Sequence, residues 1–464
     1  MKKTASAIMA LVIAINLSIG VVAASDTKLQ SAYSSAAEYC TKTSDKPVCG
    51  GEWVTIGLCR GGAELTGAWG KTYYNSVADT VKDCGGVLNS RKYTEYSRVI
   101  LGLTASGFDA ANVDGYDLAL PLGDYDMTVL QGINGPVWAL IALDSRLYEI
   151  QKSTNAKTQA TREMYVKYIL SQELSGGGWA FSGSTSDPDM TAMALCALSK
   201  YRSMDGVSKA VEHAVVLLSS LQSSDGGYSS GGTANSESCA QVIVALGELG
   251  ISLDDDRFIK NGNSPLDKLL TYQLSDGSFE HVKGGGFNGT ATEQALLALA
   301  AALRAENGEV SLYRMVSFSD IKGLAEQNEI ETLANSGLIS GMGGGLFAPD
   351  KTMTRAEFCA IAVKALGLEK KTSAVFTDVP ESAWYSGYVG AAYGACIIKG
   401  SSATIFTPNG TITDVEARIM LSRASVLLGL RDKADESWMP SSVCITRREV
   451  ASQMYDLLNE AGRI

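Results

Sequence analysis

Histidine is nearly missing from this chain: His213 and His281 are the only two among 464 residues. No C-x-x-C pair occurs, and neither histidine stands at ligand spacing from a cysteine or an acid, so no metal site, zinc in particular, is expected. Positive charge is in deficit, with 39 Lys plus Arg against 50 Asp plus Glu and a formal charge of −11. That balance argues against nucleic acid or another polyanion as partner. A G-x-S-x-G elbow, an H-E-x-x-H helix and a phosphate-cradling glycine loop are all absent. Aromatic residues make up an ordinary 8%, which gives no sign of a cavity paved with π faces. Beyond residue 22 no apolar run approaches the length needed to span a bilayer. The nine cysteines are odd in number and irregular in spacing, which does not suggest a disulfide framework. Cys196, Cys239, Cys359 and Cys396 sit in apolar helical stretches, where cysteine acts as a small hydrophobe. Cys40, Cys49 and Cys59 are close enough in sequence for one bridge among them, and the pairing of these with one another or with Cys84 stays open.

What is present begins with an export signal. Lys2 and Lys3 precede an almost wholly apolar stretch over 7–22, and the small residues Ala23 and Ala24 follow. That pattern reads as a secretory signal peptide over 1–24, leaving a mature protein outside the membrane with no span of its own. The rest is too long for one small core and divides by composition at about residue 316.

Residues 25–315 carry an internal repeat. Three segments share one plan: an amphipathic helix, a glycine-rich turn ending in an aromatic, then a more uniformly apolar helix. They are 161–174, GGGW (176–179) and 189–201; 207–222, DGGY (225–228) and 236–250; and 265–273, DGSF (276–279) and 290–305. In the second, Val207, Ala210, Val211, Ala214, Val215, Leu218 and Leu221 form one apolar stripe, as a half-wet helix requires. The stretch from Thr191 to Leu198 is apolar or small all round, as a helix surrounded by protein requires. Weaker inner-helix copies read at 52–62, 94–107 and 135–145, with partners at 29–40, 70–84 and 124–131. Six pairs are enough to close a ring; an open superhelix is the alternative.

The turns GGGW, DGGY and DGSF resemble those of the terpenoid cyclase and protein prenyltransferase superfamily, and SDPDMTAMALCAL (186–198) is similar to the inner helix of squalene and hopene cyclases and of the transcobalamin α-barrel. The resemblance implies an all-α fold, an α6/α6 toroid of two concentric helix rings over 25–315. It implies no single activity, because this fold hosts enzymes and binders alike. Hopene-type cyclases protonate an alkene with a D-x-D-D-T-A carboxylic acid. Here Asp187 and Asp189 match, but Met190 stands in place of the third acid, so the two are weak catalytic candidates and Asp189 reads first as a helix-start residue. In such a barrel the inner helices start at one rim, which would gather Tyr96, Asn134, Asp189, Glu237 and Glu293 into a ligand-binding mouth. Capture of a small ligand such as a corrinoid, a degenerate cyclase and a purely structural surface-layer component are the alternatives for this domain. A non-catalytic binding domain is the leading expectation, with no cofactor required.

From 316 to 464 a second repeat runs in three copies, at about 318–368, 376–430 and a shortened 437–464. Phe318 and Phe376 are 58 residues apart, and Thr354 and Thr413 are 59 apart. The F-x-D starts and Thr354-Arg355-Ala356-Glu357, with Thr446-Arg447-Arg448-Glu449 close behind, resemble S-layer homology repeats; the middle copy, Thr413-Asp414-Val415-Glu416, lacks the arginine. The resemblance implies a helical module that holds pyruvylated secondary cell-wall polysaccharide, its arginines gripping the ketal carboxylate. Asp320, Arg355, Glu357, Asp378, Trp384, Arg447 and Glu449 are the polymer-binding candidates, and the cell wall or S-layer of a Gram-positive-type bacterium is the expected location. Thr and Glu at that spacing would also close a capping box.

Overall fold

A computed structural model describes residues 28–464 apart from 44–46, 64, 66–68, 343–344, 373–374 and 440. The proposed signal peptide lies outside the described residues. The chain is mostly helical and divides into two compact units between Met315 and Val316. Among the described residues, no helix is long and apolar enough to cross a membrane.

In the first unit the helices are α1 (28–43), α2 (Glu52–Arg60), α3 (Trp69–Asp83), α4 (Thr94–Ala105), α5 (Tyr125–Thr128) and α6 (Asn134–Ser145). They continue with α7 (Arg162–Ser171), α8 (Pro188–Leu198), α9 (Val207–Leu221), α10 (Ser236–Leu249), α11 (Pro265–Leu270) and α12 (Gly289–Glu306). The even-numbered helices are the more fully buried ones, and they pack in sequence: α2 on α4, α4 on α6, α6 on α8, α8 on α10, α10 on α12. α12 then packs back on α2. That last contact is close: a Cβ on Gly57 would stand 2.7 Å from Leu296 Cγ, so glycine lets the two backbones approach. α12 is buried on nearly every face from Ala291 to Arg304, whereas α9 buries the single stripe its periodicity predicts as far as Leu218, and Leu221, at the helix end, is exposed.

The glycine-aromatic turns put their rings into the core. Trp179, Tyr228 and Phe279 are all fully or almost fully buried. The Trp179 N–H donates to Thr191 Oγ1 at 3.0 Å, and the Phe279 N–H donates to Thr292 Oγ1 at 2.9 Å, so the same bond ties turn to inner helix in two repeats. Gly277 adopts φ +93° and a Cβ there would meet the Ser35 carbonyl oxygen of α1 at 2.2 Å. The last turn therefore sits against the first helix, and Gln273 Nε2 donates to the Ala32 carbonyl at 2.8 Å beside it. A two-residue hairpin, Ser229–Ser230 with Thr233–Ala234, is the one paired sheet among the described residues and was not foreseen.

All nine thiols are free, so no bridge forms among Cys40, Cys49, Cys59 and Cys84. Burial pushes the thiols of Cys40 up to about 12 and of Cys49 and Cys59 up to about 11, which keeps them protonated and unreactive.

The second unit holds α13 (Gln327–Asn335), α14 (Arg355–Leu366), α15 (Ser386–Gly394), α16 (Asp414–Leu427) and α17 (Arg447–Glu460). α14, α16 and α17 each open with a complete capping box: Thr354 with Glu357, Thr413 with Glu416, Thr446 with Glu449. The segments before these helices pair in a cycle, Thr354 with Thr411, Thr413 with Cys444 and Thr446 with Thr352. The three helices also touch one another pairwise. Met353, Ile412 and Ile445, at matching places in the three copies, are buried at this junction.

Candidate functional sites

The first unit contains a cavity of about 150 Å³ bordered by α2, α6, α8, α10 and α12. Trp53 of α2, Trp138 of α6, Asp189 and Met193 of α8, Glu237 and Gln241 of α10, Gln294 and Leu297 of α12, and Tyr313 line it. Trp53 and Trp138 lie with ring centroids 5.0 Å apart, and Trp138 meets Tyr313 edge to face at 6.1 Å. An ordinary aromatic content gave no sign of this convergence: three rings distant in sequence meet because α2, α6 and the turn that holds Tyr313 come together at one cavity.

Two of the five rim candidates, Asp189 and Glu237, come together in this cavity. Asp189 does not cap its helix. Asp187 does, its carboxylate accepting from the Met190 N–H at 2.9 Å, and Pro188 occupies the first turn as N-terminal prolines do. Asp189 is left with a buried Oδ1 that has no hydrogen-bond partner. Burial raises its pKa, the neighbouring Asp187 and Glu237 add to the rise, and the hydroxyls of Ser238 and Ser230 oppose it. Glu237 is likewise relieved of capping by Asn235, which accepts from the Ser238 N–H at 2.8 Å. Its Oε2 instead lies 2.8 Å from His281 Nδ1 and 3.1 Å from Ser236 Oγ. Each histidine thus has an acid beside it that sequence spacing did not show, for His213 also lies 3.5 Å from Glu173.

The other three candidates are elsewhere. Tyr96 is buried against Tyr93, and Asn134 is the first residue of α6. Glu293 is half-buried one turn inside α12, whose cap is Asn288; burial raises its pKa, with Arg98 opposing and Glu52 adding to the rise. Arg98 and Glu52 were not anticipated. Glu52 is fully buried, accepts from the Tyr73 hydroxyl at 3.1 Å and is paired with Arg98, which also holds Glu95. Among the described residues, no group of three or more His, Cys, Asp or Glu is arranged to hold a metal ion.

In the second unit each surviving arginine of the Thr-Arg repeat reaches across to another copy. Arg355 Nε donates to the Phe406 carbonyl at 2.9 Å and Nη2 to the Lys399 carbonyl at 3.3 Å, with its guanidinium 4.9 Å from the Phe406 ring centroid. Its Nη1 pairs with Glu416. Arg447 repeats the pattern one copy on: Nε to Phe347 O at 2.9 Å, Nη2 to Ser340 O, and the guanidinium 4.4 Å from the Phe347 ring. Where the middle copy has Asp414, that carboxylate pairs with Arg418 of its own helix. Both arginines are buried along most of their length.

Arg355 opens onto a cavity of about 160 Å³ lined also by Lys399, Gly400, Ser401, Glu416, Ile419, Met420 and Arg423. Glu436 bridges Lys399 and Arg423, and hydrogen bonds from those two cations hold its pKa down to about 2. Three cations thus face two carboxylates. Lys399, Arg423 and Glu436 were missed in the sequence because they come from outside the repeated motif. The remaining candidates serve the scaffold: Asp320 accepts from the Phe347 and Ala348 N–H groups, and Asp378 accepts from Phe406 and Thr407. Glu357 and Glu449 are occupied by their capping boxes. Trp384 is exposed beside Tyr385 and Tyr388.

Comparison with known proteins bears on this second unit. The S-layer homology domain matches residues 317–359 and 375–413. The chain is 36% identical over 124 residues to a surface layer protein of Brevibacillus choshinensis, covering 26% of this chain and 11% of that protein. It is 34% identical over 153 residues to a surface-layer 125 kDa protein of Lysinibacillus sphaericus, 33% of this chain and 12% of the relative. It is 36% identical over 118 residues to exoglucanase XynX of Acetivibrio thermocellus, 25% of this chain and 11% of the relative. The chain thus spans about a tenth of the length of these curated relatives. S-layer homology domains generally bind cell-wall polysaccharide, and this is a cell-surface protein anchored to the wall.

Proposed function

We propose that the second unit grips a pyruvylated secondary cell-wall polysaccharide and that the first unit is a non-catalytic α/α toroid presented at the surface as a ligand-binding body. The observation that carries the anchoring reading is the reach of Arg355 and Arg447 across copies. Backbone carbonyls and a phenylalanine ring hold each guanidinium before any ligand arrives, so a carboxylate would meet a preorganised donor. The surplus cation beside Arg355 favours an acidic sugar substituent over a neutral one. The toroid reading is supported by the unbroken neighbour order of α2, α4, α6, α8, α10 and α12 and by the return of α12 to α2. A cavity of about 150 Å³ is about half the lower end of the usual range for small-molecule pockets, roughly 300 Å³, which favours a small guest over a folded polyene or a corrinoid macrocycle. This supports a binder of small ligands over a cyclase.

The test is cosedimentation of the mature chain with purified cell walls before and after mild acid removal of the pyruvate ketal. Binding should fall at least tenfold on removal. Lys399→Ala and Arg355→Lys, which spare the capping boxes, should each weaken binding to intact walls several-fold. Equal pull-down of ketal-free walls would remove pyruvate from the reading, and unchanged binding by both variants would remove this cavity.

A further inference from the structure

The cavity of the first unit combines features that select one ligand chemistry. Among its lining residues are three aromatic rings, two carboxylates and no lysine or arginine. Glu237 has His281 and a serine hydroxyl beside it, but Asp189 presents a buried oxygen to nothing. A carboxylate with one buried, unbonded oxygen and no counter-ion is costly, and capping does not explain why an acid stands there, since Asp187 already caps that helix. An anionic ligand would worsen the imbalance and a neutral one would leave it. A cation would relieve it, and indole and phenol rings attract cations through their electron-rich faces. The volume, about 150 Å³, limits the guest to a compact molecule. Gln241 and Gln294 bond to each other at 3.1 Å, so their amides already have one partner apiece.

We propose that this cavity is a receptor site for a compact alkylammonium ion, its charged head among Trp53, Trp138 and Tyr313 and countered by Asp189. The inference rests on reading the first unit as a ligand-binding body and names the class of ligand. It distinguishes the site from a sugar pocket, which would also employ tryptophan and acids but would gain little from a carboxylate lacking a counter-ion.

The experiment is calorimetric titration of the mature chain with choline, tetramethylammonium and n-butylammonium, and with 3,3-dimethylbutan-1-ol and glucose as neutral probes. The alcohol has the shape of choline without the charge. At least one ammonium probe should bind saturably, and choline should bind at least tenfold more tightly than the alcohol. Asp189→Asn should lose at least tenfold toward the ammonium probe and little toward the alcohol, with helical content by circular dichroism unchanged. Should that variant fail to fold, the choline–alcohol pair on the wild type decides alone. Equal binding of the two, glucose binding in preference to every ammonium probe, or no ammonium binding would overturn the proposal. Native mass spectrometry then separates the two levels: a neutral metabolite retained by wild type and lost in the cavity-filling Met193→Trp keeps the ligand-binding reading while the cation class falls.

Discussion

Both units place acids at the starts of their helices, and they use them in opposite ways. In the second unit Glu357, Glu416 and Glu449 each bond back to a threonine that bonds forward, so each carboxylate is consumed by its own helix end. In the first unit Asp187, Asn235 and Asn288 take the cap, and the acids that follow are released from that duty. Two of those released acids face a shared interior. The same residue type within two positions of a helix start is scaffold in one unit and candidate chemistry in the other. What decides is whether another side chain has already satisfied the free N–H groups.

The comparison breaks most severely at Arg447. Arg447→Ala removes the donor to the Phe347 and Ser340 carbonyls and the stacking on Phe347, so the second unit should lose about 2–3 kcal/mol. Hydrogen exchange in α17 should accelerate accordingly while α10 stays as protected as before. A smaller loss is expected for Thr446→Ala, about 1 kcal/mol, because one cap bond goes while Glu449 keeps its backbone contact. Chemical denaturation followed by exchange in α17 reads it, and a neutral effect would mean that the box contributes nothing there.

The smallest effect has the opposite sign. The folded-state pKa of Asp189 is raised, so its ionisation opposes folding above that pKa, and the penalty disappears below the ordinary carboxylate value of about 3.9. Asp189→Asn should therefore stabilise the first unit at neutral pH, by about 1–3 °C in melting temperature, and the gain should vanish as the pH falls toward 3. A variant less stable than wild type at pH 7 would show that the carboxylate is compensated after all. A gain in stability together with lost affinity for a cation would mark Asp189 as a residue kept for binding.

The helices of the first unit were legible because their two kinds of periodicity are physically distinct. α9 shows one apolar stripe and α8 is apolar throughout, and each is buried to match. Short pieces such as α5 carry too few residues to show a period. Site residues were harder. Asp189 and Glu237 were visible as acids near helix starts, but their freedom depended on Asp187 and Asn235, whose capping role is a matter of backbone geometry. Trp53, Trp138 and Tyr313 belong to no shared motif, and only the packing of α2, α6 and the turn after α12 unites them. In the second unit the 59-residue spacing exposed the arginines, yet concealed their partners, because each guanidinium is held by a different copy from its own.

That exchange between copies makes the first copy depend on the third. The Thr446–Thr352 bridge and the Arg447 contacts join α17 to the segment before α14. A proteolytic cut just before residue 446 would leave the Phe347 and Ser340 carbonyls without their guanidinium and break the cycle of bridges, so damage to the third copy should loosen the first.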